Sequence, residues 1–471
     1  MNFTEKLNKL GGLFKNKKVA ILGFGKEGIS TYHFIKKYFP ETWLIISDIN
    51  DSLVEKHPFL NKSLNTEIIT GNNYLEVLNS ADLIIKSPGI SLKDSRFDKY
   101  EEKITNQTDL FLRLFSEQVI GITGTKGKST TSSLLHHILQ KNSIDSILVG
   151  NIGLPPFEII ENIEQDTFIV FEMSSHQLQN IGISPHISVL LNIFEEHLDH
   201  YNSFREYIKA KIDIAYYQNE KDFFIYNYDN LLLKSTIDKI GIKSKIFEYG
   251  LNKIDGDGIY IENSKIYSKN QNTIIEKGDT NFSRNIPGNH NLSNILAAIK
   301  VCEIIGLEYN KVINAISDFK SLEHRLEFVG TFNEISFYND SISTIPEATI
   351  AALETIEKVD TLILGGFDRG INYESLAYYL VNSQVNNFIF LGEAGKRIHN
   401  EILKNGKEIN KHFFFAENMY EVVELAFKIT SKNASCLLSP AASSYDLFKN
   451  FEHRGNIFKE TVLNYNKKST H

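Results

Sequence analysis

At 471 residues the chain is too long for one core, and at about 150 residues per domain it predicts about three. Its 42% hydrophobic and 23% charged residues are those of a globular protein, and a net charge of −8 argues against nucleic acid as the main partner. Cys302 and Cys436 lie far apart with no metal-ligand spacing, the N-terminus lacks a signal-peptide core, and the apolar runs are strand-sized; cytoplasmic placement away from membranes is expected.

Along the chain, strands alternate with helices, which predicts an α/β protein with mostly parallel sheets. A strand Val19–Leu22 precedes Gly23-Phe-Gly25-Lys-Glu-Gly28 and a helix to about Tyr38. A strand Trp43–Ser47 then ends at Asp48, and a strand Leu83–Ile90 closes this first unit. Glycines between a strand and a helix let a backbone approach a pyrophosphate at the helix N-terminus. The fingerprint does not say which nucleotide binds; a nicotinamide-dependent dehydrogenase and a turn needed only for packing both fit it.

The second unit opens near Gln118 with a strand, then Gly121-Ile-Thr-Gly124-Thr125-Lys126-Gly127-Lys128-Ser129-Thr130-Thr131, then a helix. This is a phosphate loop, although Ile122 stands where the strict pattern has glycine. Its amides would cradle phosphates, Lys128 would reach the β- and γ-phosphates, and Ser129 would hold Mg²⁺. Glu172, after the strand Thr167–Phe171, is placed for a second Mg²⁺ ligand. After the strand Ile187–Asn192 come His197, which reads as a metal ligand or a structural histidine, and Lys211, which reads alone as a solvated helix charge. Phe223–Phe282 changes to short strands and turns, a β-rich insertion. The third unit starts near His324, with strands Thr361–Gly365, Asn387–Leu391 and Ala434–Ser439. Its Ser439-Pro-Ala-Ala-Ser-Ser444-Tyr445-Asp446 reads as a carboxylate-holding loop or a capped turn.

Taken in order, these landmarks resemble the Mur ligase family over essentially the whole chain. They are GxGxxG at Gly23, SPGI at Ser87, GTxGKST at Gly124, GNIGLP at Gly150, E-x-SS-x-QL at Glu172, H-x-D at His197 and YxxAK at Tyr207. G-x-HN-x-x-N at Gly288, HR-x-E at His324, NDS at Asn339 and SPA-x-S…FKNFE-x-RG from Ser439 complete the set. GNIGLP and FKNFEHRG are similar to the glutamate-adding branch.

The resemblance implies three domains, 1–106 for UDP, 107–321 for ATP and 322–471 for the amino acid, and a monomer. It implies ATP-dependent addition of glutamate to UDP-N-acetylmuramoyl-L-alanine through an acyl phosphate, in cytoplasmic peptidoglycan precursor synthesis. Lys128, Glu172, His197 and Lys211 become the catalytic set. Ser129 and Glu172 would hold one Mg²⁺, and His197 and a carbamylated Lys211 a second. Thr125 to Thr131, Asn291, Asn294, Arg325 and Asp340 fall to the nucleotide. Gly25, Asp48, Gly89, Asn151, Ser174, Gln177, Thr344, Arg369, Ser444, Tyr445 and Phe451 fall to the substrates. The set separates the chain from a dehydrogenase, from a folylpolyglutamate-synthase-like ligase and from a non-catalytic nucleotide binder.

Some positions depart from the family. Ile342 replaces the lysine of the NDSKAT pattern, Arg369 a lysine, and Tyr445 a smaller residue. Lys126 stands for asparagine, and Lys26-Glu27 for small or hydroxyl residues. The changes around the amino-acid pocket leave D-glutamate, the family default, and L-glutamate both open.

Overall fold

The computed structural model describes residues 3–150, 154–196, 200–286, 288–320, 323–405 and 411–469. The chain divides into two compact units, Met1–Ser283 with His290–Asp318, and Arg284–Asn289 with Phe319–His471.

The first unit holds two sheets. The N-terminal one is formed by β1 (Lys18–Leu22), β2 (Trp43–Asp48), β3 (Thr66–Thr70), β4 (Leu83–Lys86) and β5 (Ile104–Thr105) in the order β3-β2-β1-β4-β5, all parallel. Val19, Ala20, Ile21 and Leu22 are all buried, as a strand covered on both faces requires. β4 stops at Lys86 rather than running to Ile90. Pro88 has no N–H for a ladder, and Ile90 N–H donates instead to Ser87 O, closing a turn.

The larger sheet comprises β6 (Val119–Thr123), β7 (Ser146–Gly150), β8 (Phe168–Glu172), β9 (Ile187–Leu190), β10 (Phe223–Asn227), β11 (Lys245–Gly250), β12 (Gly258–Glu262), β13 (Lys265–Asn270) and β14 (Thr273–Asp279). Their order is β14-β13-β12-β11-β10-β9-β6-β8-β7. The β-rich stretch therefore extends the edge of the ATPase-like sheet. β10, β11 and β12 continue it in parallel, and β12-β13-β14 turn antiparallel. A common apolar core binds the two sheets into one unit. Phe34, on the helix Lys26–Tyr38, stacks on Phe157 with ring centroids 3.9 Å apart, among Phe111, Phe171 and Ile169.

The second unit carries β15 (Glu327–Phe332), β16 (Ile335–Asn339), β17 (Val359–Gly365), β18 (Asn387–Leu391), β19 (His412–Phe415) and β20 (Ala434–Leu438), ordered β15-β16-β20-β17-β18-β19. All pairs are parallel except the β15–β16 hairpin. Separate apolar clusters pack the two faces of this sheet. Among the described residues no helix is long and apolar enough to cross a membrane.

Candidate active site

The phosphate loop leaves β6 at Thr123 and enters the helix Lys128–Lys141. At the turn Gly127 adopts φ +86°, and a Cβ there would lie 2.5 Å from Asn294 Oδ1. Only glycine meets both demands. Asn294 and Asn291, on the helix Asn289–Ile304, are buried, and Asn294 Nδ2 reaches Asn291 Oδ1 at 3.4 Å. Asn294 thus packs against the phosphate loop itself.

Parallel pairing of β6 with β8 and β9 brings three carboxyl ends together, where ligands of open α/β sheets bind. Glu172, paired with Ile122, is fully buried at the end of β8. From β9 the chain runs on to Asn192, whose side chain clasps the loop. Lys126 N–H donates to Asn192 Oδ1 (2.8 Å), and Asn192 Nδ2 donates to Lys126 O (3.0 Å). Thr125 N–H adds a bond to Asn192 O at 2.9 Å. Lys126, the departure from the family pattern, forms an ion pair with Glu196 at 2.8 Å.

The helix Phe204–Tyr216 supplies a further wall. Tyr207 and Lys211, one turn apart, face the loop. The Tyr207 hydroxyl lies 2.8 Å from Thr125 Oγ1, and Lys211 Nζ donates to Gly124 O at 2.8 Å. Lys128 Nζ donates to that same carbonyl at 2.7 Å and to Thr125 O at 2.9 Å. Burial, with the charge of Lys128 next, drives the Lys211 ammonium well below the usual lysine range. Lys211 is therefore not the solvated charge that its helix pattern alone suggests. Thr130 and Thr131 are buried in the first turn of the phosphate-loop helix, with Ser129 part-buried beside them.

On the N-terminal sheet, Asp48 accepts from Phe24 N–H (2.6 Å) and Asn50 N–H (2.9 Å), so its carboxylate shapes the glycine turn. A Cβ on Gly25 or on Gly89 would meet nothing within 4 Å; both backbones border open space, as close approach of a ligand needs. Ser174 caps the helix Ser175–Leu178 in a reciprocal box with Gln177. Gln177 Nε2 also donates to Glu27 Oε1 at 2.7 Å, and Gln107 Nε2 donates to Glu27 O at 2.9 Å. Burial raises the Glu27 carboxyl, and burial lowers the Lys86 ammonium to about 8, each charge easing the other. The Glu27 departure thus fastens the N-terminal sheet to the residues that follow β8.

In the C-terminal unit Asp340 is fully enclosed. It accepts from Ser439 Oγ (2.8 Å) and Leu326 N–H (3.2 Å), and burial raises its carboxyl to about 6 while the Arg325 charge opposes the rise. Thr344 is part-buried and lies just past the turn at Ser341 and Ile342. Arg369 is exposed with its guanidinium 5.7 Å from the centre of the exposed Tyr445 ring. Ser444 is buried beside Tyr445, and Phe451 opens the helix Phe451–Ser469. Buried Arg454 ties these segments together, donating to Ser341 Oγ (2.9 Å), Ser341 O (2.8 Å), Ala442 O (3.1 Å) and Ser443 O (3.2 Å). The sequence signal of Arg454 lies in the FKNFEHRG landmark, and that of Asn192 in its place just past a strand, yet sequence reasoning assigns neither a role. Asn151 and His197 lie outside the described residues. Among the described residues no group of three or more His, Cys, Asp and Glu side chains gathers to hold a metal. The hydroxyl of Ser129 and the carboxylate of Glu172 are hard oxygen donors of the kind Mg²⁺ takes.

Three α/β sheets, the middle one bearing a phosphate loop walled by buried lysine and glutamate, define a phosphate-loop nucleotide-binding protein. The Mur ligase middle domain matches residues 122–302, and the Mur ligase MurD-like N-terminal domain matches residues 17–106. The chain is 33% identical over 461 residues to the UDP-N-acetylmuramoylalanine–D-glutamate ligase of Clostridioides difficile, covering 96% of this chain and 99% of that protein. It is 34% identical to the enzyme of the same name from Caldicellulosiruptor bescii, covering 95% and 98%. Among solved structures, the UDP-N-acetylmuramate-alanine ligase MurC of Thermotoga maritima shares the fold at a TM-score of 0.55 and 18% identity, covering 96% and 100%. MurF of Acinetobacter baumannii does so at 0.57 and 12%, covering 98% of each chain. The chain belongs to the Mur ligase family.

Proposed function

We propose that this protein is an ATP-dependent ligase that joins D-glutamate to UDP-N-acetylmuramoyl-L-alanine, releasing ADP and phosphate. It would serve cytoplasmic peptidoglycan precursor synthesis as a monomer, with residues 1–106 for the UDP moiety, 107–321 for ATP and 322–471 for the amino acid. The observation that carries the reading is the convergence of Lys128 and Lys211 on Gly124 O, with Glu172 buried on the neighbouring strand. The names of the full-length relatives supply the substrates.

A carboxylate is a poor electrophile. Transfer of the γ-phosphoryl group onto the substrate carboxylate makes an acyl phosphate, and the glutamate amine then attacks its carbonyl carbon. The tetrahedral adduct collapses, expelling phosphate and leaving the amide. Lys128 and the loop amides offset the charge that builds on the transferring group. Mg²⁺ held by Ser129 and Glu172 would neutralise phosphate charge in that step. Lys211, whose burial favours the neutral amine, would add its nitrogen to carbon dioxide and lose one proton. The resulting carbamate would offer an anionic oxygen, with His197, to a second ion. Asn291 and Asn294 border the nucleotide, and Arg325 and Asp340 keep the nucleotide role that the family resemblance implies. Gly25, Asp48, Gly89, Asn151, Ser174 and Gln177 serve the UDP-muramoyl substrate, and Thr344, Arg369, Ser444, Tyr445 and Phe451 the glutamate.

The test is phosphate release from ATP with UDP-N-acetylmuramoyl-L-alanine and either D- or L-glutamate. Turnover with D-glutamate is expected. Turnover with L-glutamate alone would reassign the stereochemistry to the Ile342 and Arg369 departures, and release with neither would refute the reading.

A further inference from the structure

The helix Phe204–Tyr216 has two working faces. Tyr207 and Lys211 face the phosphate loop. Glu206, Ala210 and Asp213, spaced i, i+4 and i+7, and Tyr217 just past the helix end, line a cavity of about 390 Å³ on another side. Its opposite wall is the segment closing the N-terminal sheet, with Leu92, Phe97, Asp98 and Glu101. The volume falls within the range of about 300–1,000 Å³ in which proteins hold small molecules.

Asp213 marks the cavity as a site. It is 7% exposed and lines the space, yet its carboxylate takes part in no hydrogen bond and no ion pair among the described residues. Lys209, one turn back, is the cation that offsets it from a distance. A carboxylate withdrawn from water without a donor is costly, and native proteins rarely keep one without a reason. Asp98, Glu101 and Glu206 add three further carboxylates against Lys209, with the apolar surfaces of Leu92, Phe97 and Tyr217 between them. Carboxylates spread over walls, none gathered as a metal cluster among the described residues, suit a cation larger than a metal ion. Ammonium groups would meet the carboxylates, and a methylene chain would lie on the apolar wall.

We propose that this cavity binds a small aliphatic diammonium ion, with Asp213 receiving one of its ammonium groups. The site lies across one helix from Lys211, and it stands independently of the ligase reading.

Calorimetric titration of the full chain with putrescine at low, fixed ionic strength tests this. One saturable event is expected, weakened at least about tenfold in Asp213→Asn and measurably in Glu101→Gln. Thermal melts establish that each variant is folded; should Asp213→Asn fail to fold, Glu101→Gln decides. Absence of saturable binding, binding unchanged in the folded variants, or displacement of putrescine by MgCl₂ beyond what NaCl of equal ionic strength achieves would each overturn the proposal.

Discussion

The Asn192 clasp permits a quantitative test of how the phosphate loop is held. Asn192→Ala removes two hydrogen bonds to the Lys126 backbone, one accepted by Oδ1 at 2.8 Å and one donated by Nδ2 at 3.0 Å. Each contributes roughly 0.5–1.5 kcal/mol, so the loop's bound geometry loses about 1–3 kcal/mol relative to looser conformers. At about 1.4 kcal/mol per decade, kcat/KM for ATP should fall roughly 5- to 150-fold. The bond from Thr125 N–H to the Asn192 carbonyl survives the change, which keeps the loss from being total. Asn192→Asp keeps the acceptor but loses the donor and sets a negative charge beside the phosphates, so it should fall at least as far. The assay is steady-state phosphate release with ATP varied, then with glutamate varied, alongside a thermal melt. KM for glutamate should not move. If a folded Asn192→Ala variant keeps kcat/KM for ATP within about twofold of wild type, the clasp does not shape the nucleotide site, and the reasoning fails.

Lys128→Ala should abolish ATP-dependent ligation while the melting temperature holds, because the cation facing the phosphates acts chiefly in the transition state; near-normal turnover would refute the phosphate-loop assignment. Lys211→Ala should be nearly inactive and partly rescued by a small carboxylate such as acetate, and full activity would return Lys211 to a structural role. Arg369→Ala should raise KM for glutamate about tenfold with little change for ATP, since a guanidinium–carboxylate pair contributes roughly 1.5–3 kcal/mol, and Arg369→Lys should restore it only in part; a change confined to ATP would move Arg369 to the nucleotide. Asp340 titrates at about 6 in the folded protein, above its ordinary value, so the folded state binds its proton more tightly. Its contribution to stability is present at pH 4 and is lost as pH rises through about 6. The melting temperature of Asp340→Asn relative to wild type should therefore improve between pH 4 and pH 7, and a flat difference across that range would contradict the buried placement.

The readable parts of this protein are those whose signal is local. A phosphate loop needs its glycines, lysine and hydroxyl within a few residues, so Gly124 to Thr131 are legible in the sequence by themselves. The strand predicted over Leu83–Ile90 ends early because apolar content continues to Ile90, whereas the ladder stops where Ser87-Pro88 turns. Lys211 is legible only through the family pattern, because its helix period is that of any amphipathic surface. What distinguishes it is burial and a carbonyl shared with Lys128, both products of tertiary packing.

Residues that act on other residues are the hardest to read. Asn192 works through backbone groups of Lys126, and Arg454 through carbonyls on two separate loops, so neither forms a motif with its partners. Glu27 shows the limit most clearly. In sequence it is a departure, an acid in a loop expected to approach a pyrophosphate. In the fold it accepts from Gln177 and lies near the buried Lys86 charge, two positions far along the chain. The helix dipole favours an acid in the first turn, and the Gln177 hydrogen bond and the Lys86 charge oppose the cost of withdrawing Glu27 from water. The departure is therefore compensated by the Gln177 hydrogen bond and by Lys86 at the end of β4, so the part-buried Glu27 and the buried Lys86 offset one another.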